Sequence, residues 1–304
     1  MTKILDQHSD SAFEIVNGDC VAAMEALPES SIHFSLHSPP YLNLYVYGAL
    51  PQDIGNASSD AEFWDHYRYA TRQVFRVMKT GRIAAVDCAN VPAMKERDGY
   101  IGLKDFRGDL IREWTAAGFI FHSEHCIWKD PLIEATRTKS LGLMHKQLMK
   151  DSAMCRAGIP QYLLAFRKPG TNAEPVAHEK GLTDWIGENP PKTGNLSHER
   201  WRRYASPVWM DVDFTNTLNA RAAREEDDER HVCPFSLDIC HRAIHLWSNP
   251  GDVVLDPFGG IGSTGYVAIQ EGRRPLLIEL KRSYYQQAIL NLQSAKAAQA
   301  SLFA

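Results

Sequence analysis

The chain has no C-x-x-C pair, no apolar run long enough to cross a membrane, no internal repeat and no low-complexity tract. Its six cysteines, Cys20, Cys88, Cys126, Cys155, Cys233 and Cys240, are scattered over 304 residues. That spread excludes a disulfide scaffold and reads as the reduced thiols of a cytoplasmic protein. The nearest approach to a metal site is His231, Cys233, Cys240 and His241. Their spacing fits no common zinc pattern, so two semi-buried thiols and two helix-face histidines are expected, and no metal. The opening MTKILDQHSDSAFEI lacks an apolar h-region, so no secretory signal is expected. There is no overall basic excess: the net charge is −4, which argues against indiscriminate binding of polyanions by the whole surface. At 44% hydrophobic and 23% charged residues, the chain is an ordinary globular one, long enough for one large or two modest domains with a sizeable core.

Charge is nevertheless unevenly placed. Between Lys129 and Gly170 lie eight Lys and Arg (Lys129, Arg137, Lys139, Lys146, Lys150, Arg156, Arg167, Lys168) against three acids (Asp130, Glu134, Asp151). The segment fits either a confined polyanion site or a solvated face whose counter-charges lie elsewhere in space. Charge alone leaves both open.

Seven stretches have the composition of buried strands bounded by turns: 13–16, 32–36, 82–88, 119–128, 161–166, 252–255 and 275–280. Helical patterns lie between them. One covers 20–27 behind Asp19, a natural N-cap. A second, 60–79, places Phe63, Tyr67, Val74 and Met78 on one face. A third, 105–117, stops at Gly118. Two more cover 235–248 and 283–299. Strands alternating with helices predict an α/β fold, its mostly parallel sheet covered on both faces. Residues 170–231, rich in Pro, Gly and polar side chains, read as a long ordered loop or lid, with the solvent-facing run REEDDER at 224–230.

Two short stretches carry chemistry. HSPPY (37–41) ends a strand on two prolines that offer no backbone donor and fix φ. Taken alone it is a strand-ending turn. DVVLDPFGGIGSTG (252–265) is a strand, a glycine turn and a helix start near Ser263. Gly260, Gly262 and Gly265 fit G-x-G-x-x-G, and Glu279 ends the next strand, so a nicotinamide oxidoreductase is one reading. Two features weigh against it. Asp256-Pro257-Phe258 precedes the glycines, and a carboxylate there accepts from an amino group but repels a pyrophosphate. The unit also stands near the C-terminal end, where only one βαβ unit fits.

Together, Ser38-Pro39-Pro40-Tyr41 and, far downstream, Asp256-Pro257-Phe258-Gly259-Gly260-Ile261-Gly262-Ser263-Thr264 resemble the DNA amino-methyltransferases of adenine N6 and cytosine N4. The order, tetrapeptide first and glycine loop last, is similar to their permuted β-type subgroup and to solitary phage and prophage enzymes. The resemblance covers most of the chain, and 231–285 is continuous with the family pattern. It implies a Rossmann-like S-adenosylmethionine-dependent methyltransferase fold, circularly permuted, with a mostly parallel seven-stranded sheet. The catalytic domain would comprise 1–128 and 161–304, and 129–160 would form a small target-recognition insertion.

The resemblance also implies roles. An exocyclic amine is a poor nucleophile, because its lone pair is delocalised into the ring. Ser38 Oγ and the Pro39 carbonyl would accept from its N–H groups, Pro40 would keep the turn rigid, and Tyr41 would stack on the flipped base. Asp256 and the Phe258–Gly262 backbone, Gly260 included, would hold the methionine part of S-adenosyl-L-methionine. Glu279 would take the ribose hydroxyls and Asp19 the adenine amine. Cys20, His37, Ser38, Pro257, Gly262, Ser263, Thr264 and Leu280 would line the cofactor, and Pro234, Phe235 and Ser236 would close over its methionine end. Ser38 stands where adenine enzymes often carry Asp and cytosine-N4 enzymes Ser; the phage-like resemblance points to adenine N6, the first expectation, with cytosine N4 as the alternative. Arg137, Lys139, His145, Lys146, Gln147 and Lys150 are candidates for contact with double-stranded DNA. Tyr45 and Tyr47 either border the base pocket or pack in the core. A homodimer is implied, in a bacterial cell or phage-infected host. A cytosine-C5 enzyme is disfavoured, since that chemistry needs a cysteine nucleophile and no Pro-Cys pair occurs.

Overall fold

All seven strands read from the sequence form, and they lie side by side in one sheet. The computed structural model describes residues 4–42, 54–93, 95–138, 141–179, 181–182, 196–219, 223 and 234–302. In chain order the elements are β1 (Ile4–Ser9), β2 (Glu14–Gly18), α1 (Cys20–Glu25), β3 (Phe34–His37), α2 (Asp60–Val77), β4 (Ile83–Ala89), β5 (Val91–Ala93), α3 (Lys95–Asp98), β6 (Gly102–Lys104), α4 (Phe106–Ala116) and β7 (Ile120–Ile127). There follow α5 (Pro131–Thr138), α6 (His145–Lys150), β8 (Gln161–Arg167), α7 (Leu196–Ala205), β9 (Val208–Trp209), α8 (Leu237–Trp247), β10 (Val253–Asp256), α9 (Ser263–Gln270), β11 (Arg274–Glu279) and α10 (Arg282–Leu302).

The sheet order is β1-β2-β11-β10-β3-β4-β8-β7-β9. From β2 to β4 every pairing is parallel, and β8 runs antiparallel between β4 and β7. Two short strands extend the predicted seven at the edges. β1 escapes a hydrophobicity reading because only Ile4 and His8 are even partly covered; β9 is two residues long. The segment read as a loop over 170–231 carries α7 and β9 among its described residues, with Tyr204 and Trp209 buried at their ends. The REEDDER run, His231 and Cys233 lie outside the described residues.

The predicted helix signals act locally as chemistry requires. Asp19 Oδ1 accepts from Ala22 N at 2.8 Å and opens α1. Ser59 caps α2, and Asp105 caps α4, which ends before Gly118 at φ 106°. Helices α1, α2 and α4 cover one face of the sheet through Met24, Phe63, Tyr67, Val74, Leu110 and Trp114. Helices α8, α9 and α10 cover the other. Trp114 is fully buried, stacks on Phe166 at 4.9 Å and on His37 at 5.7 Å, and donates from Nε1 to the Tyr67 hydroxyl at 3.2 Å. Trp114→Ala is expected to destabilise the fold by about 3–5 kcal/mol, measured by denaturant unfolding. A loss below about 1 kcal/mol would show that this face can collapse around the hole.

Candidate active site

The strand C-terminal ends converge on one edge. Asp256 pairs in register with Leu277 on β11, Leu255 pairs with Ser35 on β3, and Glu279 pairs with Asn17 on β2. Asp19, Glu279, Asp256 and Ser38 therefore follow or end four neighbouring strands, about 4.8 Å apart per strand. The chain runs from β3 through α2 to β4 in one direction and from β10 through α9 to β11 in the other, with the helices on opposite faces. Strands β10 and β3 thus flank a topological switch point, where open α/β sheets bind ligands. The two motifs, more than 200 residues apart in the chain, meet there.

Asp256 is 3% exposed. Its Oδ1 accepts from Phe258 N at 3.0 Å, and the Thr264 hydroxyl also bonds its carboxylate. Burial nevertheless pushes the carboxyl up to about 7. Gly260 has φ 52°, and a side chain built there would meet nothing within 4 Å, so the backbone faces open space. At Gly262, φ 91°, a Cβ would come within 3.3 Å of Ala288, a tight approach of the loop to α10. Such a loop presents bare backbone to a ligand. Glu279 holds its shape: Oε2 accepts from Gly260 N and Oε1 from Lys281 N, both at 2.7 Å. A buried carboxylate facing an open glycine backbone, with a second acid one strand away, fits a cofactor bearing an ammonium group and a ribose.

On the acceptor side, Ser38 and Pro40 are half-buried and Pro39 is buried. Tyr41 packs on Phe106 with ring centroids 5.5 Å apart. Leu42, next in line, is buried with φ 49°, a left-handed conformation that costs a non-glycine residue about 1–3 kcal/mol and marks a constrained turn. His37 is 1% exposed, stacks on Trp114 and meets Phe258 at a tilt with centroids 5.5 Å apart, and burial drives its ring down to about 3, so it is neutral. Cys20 is buried, and burial pushes its thiol up, which keeps it protonated and inert. Ser263 and Thr264 are buried at the start of α9, and Thr264 Oγ1 reaches Leu36 O at 3.4 Å. Ser236 precedes α8 and donates to Asp213 O at 3.0 Å; beside it Pro234 and Phe235 are half-buried.

Sequence reasoning missed three residues at this edge. Asn17 Nδ2 donates to the carbonyls of Glu279 at 2.8 Å and Leu280 at 2.9 Å, tying β2 to β11. Asp87, on β4 beside the Ser38 strand, is buried with its carboxyl raised to about 7 by burial. Gln161 Nε2 donates to Asp87 Oδ2, while Oδ1 has no partner among the described residues. A buried polar residue at a strand's C-terminal end, as in IVNGD and AVDC, was the available signal.

The insertion departs from the same edge, between the end of β7 and the start of β8, where Ala89, Ile127 and Gln161 align. It carries α5 and α6. His145, Lys146 and Lys150 are exposed and Gln147 half-buried. The Arg137 side chain, Lys139, Tyr45 and Tyr47 lie outside what is described. The basic segment read from the sequence is divided in space: Lys168 is buried and donates to Met78 O at 2.7 Å, away from the insertion. At the opposite edge of the sheet, His33, Glu174 and Asp252 form the group of metal-ligating side chains found among the described residues. Val253 N donates to His33 Nδ1, leaving the proton on Nε2, which faces Glu174 at 3.2 Å, while Asp252 pairs with buried Arg82. That group is satisfied by its own hydrogen bonds.

Fold and switch-point site together define a Rossmann-like methyltransferase. Residues 32–290 match the family N6_N4_Mtase, described as DNA methylase, and the chain belongs to it. It is thus a DNA methyltransferase of the N6-adenine and N4-cytosine class with S-adenosyl-L-methionine as cofactor; the oxidoreductase reading finds no support. The chain is 25% identical over 300 residues to the type II methyltransferase M.Cfr9I of Citrobacter freundii, covering 92% of this chain and 87% of that one. It is 22% identical over 296 residues to M.MjaI of Methanocaldococcus jannaschii, covering 89% and 88%. Among solved structures it is similar in fold to a candidate DNA modification methylase of Thermus thermophilus, TTHA0409, complexed with S-adenosyl-L-methionine. That match has TM-score 0.63 and 23% identity, covering 92% of each chain. The cytosine-N4-specific PvuII DNA methyltransferase matches with TM-score 0.60 and 18% identity, covering 96% of this chain and 94% of that one.

Proposed function

We propose that the protein methylates the exocyclic amine of one base at a specific site in double-stranded DNA, after that base has been flipped out. The observation that carries this reading is the adjacency of β3 and β10, which brings the SPPY turn beside Asp256 and the glycine loop. The bound cofactor would supply a methyl group on a sulfonium, already an excellent leaving group. Asp256 would accept from its ammonium group, Gly260 and the neighbouring backbone would lie along its methionine part, Glu279 would take the ribose hydroxyls and Asp19 the adenine amine. Ser38 Oγ and the Pro39 carbonyl would accept from the two N–H groups of the target amine, drawing that nitrogen toward sp³ geometry and localising its lone pair. The nitrogen's surplus proton would leave along the same acceptors. Tyr41 would stack on the base. Positioning accounts for most of such catalysis, and no covalent intermediate with the protein is needed.

The phage-like resemblance pointed to adenine N6. Two observations favour cytosine N4 as the acceptor: the first residue of the tetrapeptide is Ser38, and the PvuII enzyme, which spans the same fold, is described as cytosine-N4-specific. We therefore take cytosine N4 as the first reading and adenine N6 as the second. Labelled S-adenosyl-L-methionine with mixed-sequence duplex DNA, followed by digestion to nucleosides, decides between them. Label in N4-methylcytosine is expected; label in N6-methyladenine reverses the choice, and no label on any DNA removes the reading altogether.

The circularly permuted order, a homodimer suited to a two-fold site and a cytoplasmic location in a bacterium or infected host belong to the same proposal. So does the division into a catalytic body, 1–128 with 161–304, and the insertion 129–160 as the DNA-reading part. Lys146 and Lys150 face solvent there with no ion pair to any described residue. Replacing both with glutamine is expected to flatten the salt dependence of DNA affinity by nearly two in log–log slope, about 0.9 per phosphate contact. An unchanged slope would move the DNA site elsewhere.

A further inference from the structure

Resting on that reading, one feature of the insertion goes beyond phosphate contact. The three most exposed large hydrophobic side chains among the described residues all lie in it: Met149 at 78%, Leu132 at 74% and Ile133 at 66%. Leu148, at 51%, stands beside Met149. Helix α6 buries none of its residues, and Met144, at its N-cap position, makes no side-chain cap bond. A helix of one and a half turns with no buried side has little intrinsic stability, so a partner is expected to complete its packing. Scattered exposed apolar residues are ordinary on a soluble protein, but Leu132 and Ile133 are adjacent on α5 and Leu148 and Met149 on α6, two exposed apolar pairs within one insertion, and such a concentration marks an interaction surface.

The charges around this surface select the partner. The three acids of the segment are engaged by backbone amides. Asp130 Oδ1 accepts from Leu132 N at 2.7 Å, Glu134 Oε2 from Ile159 N at 3.1 Å, and Asp151 Oδ1 from Ala153 N at 3.0 Å. Lys146 and Lys150 are left without an ion pair to any described residue, one turn apart on α6, and Met149 lies between them in the chain. Exposed apolar side chains flanked by lysines that have no ion pair to any described residue fit a duplex whose phosphates meet the lysines while the apolar groups meet the base stack. The insertion leaves the same sheet edge as Ser38, three strands away, which is about 14 Å.

We propose that Met149, backed by Leu148, enters the duplex beside the target nucleotide and fills the place in the stack that the flipped base vacates, with Leu132 and Ile133 against the groove wall and Lys146 and Lys150 on flanking phosphates. Apolar side chains are used as wedges of this kind because they offset part of the cost of unstacking.

The test uses the full-length protein and a duplex carrying the site mapped by sequencing DNA from cells that express it. Single-turnover transfer of labelled methyl is compared on two forms of that duplex, one with the target base paired and one with an abasic position opposite it. For the double variant Leu148→Ala/Met149→Ala, transfer to the paired duplex is expected to fall about tenfold or more, a stacking-sized effect. The deficit should shrink to about threefold or less on the abasic duplex, where flipping is already easy. Met149→Leu should restore transfer, and the salt dependence of binding should stay unchanged. Both side chains are exposed, so the thermal midpoint should not move. Equal loss on both duplexes, or no loss on either, overturns the wedge. Equal loss together with a shift to a smaller oligomer assigns the surface to a second copy instead. A wild-type protein that labels neither duplex brings down the parent reading as well, so the two failures are distinguishable.

Discussion

Alanine at position 38 is expected to lower the turnover of DNA methylation by roughly 10²–10³-fold while leaving cofactor affinity within about threefold of the original, the pattern of losing one transition-state contact. The reason lies in the target amine. Conjugation flattens its nitrogen, and only acceptors placed on its N–H groups restore a usable lone pair. Ser38 is half-buried and directly follows β3, whose residues are all buried, so it stands at the end of a strand packed on both faces. Tyr41→Ala should fall short of that loss, at roughly 10- to 100-fold, because it removes stacking on the base and not an acceptor on the reacting atom. Rapid-quench turnover beside calorimetric cofactor titration separates the two parameters. A Ser38→Ala enzyme that loses both equally would place Ser38 in cofactor binding and vacate its role as acceptor.

The second large effect concerns Asp256. Burial raises its carboxyl to about 7 in the folded chain, above the ordinary 3.8. Between those values the folded state holds more protons than the unfolded one. The protein without cofactor therefore loses stability as pH rises through that window, from about pH 4 to about pH 7. A bound ammonium group needs the ionised carboxylate. Cofactor affinity is accordingly expected to weaken by up to about tenfold per pH unit below about pH 7, with a proton released on binding. Asp256→Asn should weaken binding at about pH 8 by roughly 10- to 100-fold and flatten the pH profile, since a charged hydrogen bond has been exchanged for a neutral one. Titration calorimetry in buffers of different ionisation enthalpy measures both affinity and proton release. If the variant keeps the wild-type pH slope, the proton belongs to Asp87, which burial also raises to about 7.

The legible part of the fold was the part built from buried apolar runs. β3, β4, β8 and β10 are buried along most of their length, and each was readable as a strand. α2 was readable because Phe63, Tyr67, Val74 and Met78 form one dry face. What escaped had little burial to leave a pattern: β1 with its exposed middle, α6 with no buried side chain, and β9 with two residues. In the site, SPPY and the glycine loop announced themselves through backbone demands that few residues meet. Asn17, Asp87 and Gln161 did not, because each acts through a hydrogen bond to an element distant in the chain.

By itself, then, the order of residues determined which segments become strands, where prolines and glycines end them, and which acids stand at those ends, since these depend on local sterics and on burial period. Only the assembled sheet decided that β10 lies between β11 and β3, so that Asp256 comes beside the SPPY turn while Glu279 clasps Gly260. Such pairings are set by packing helices on both faces of the sheet at once, a constraint that no stretch of neighbouring residues contains. The same assembly carried Lys168 into the interior and left Lys146 and Lys150 exposed, dividing in space a charge run that is continuous in the chain.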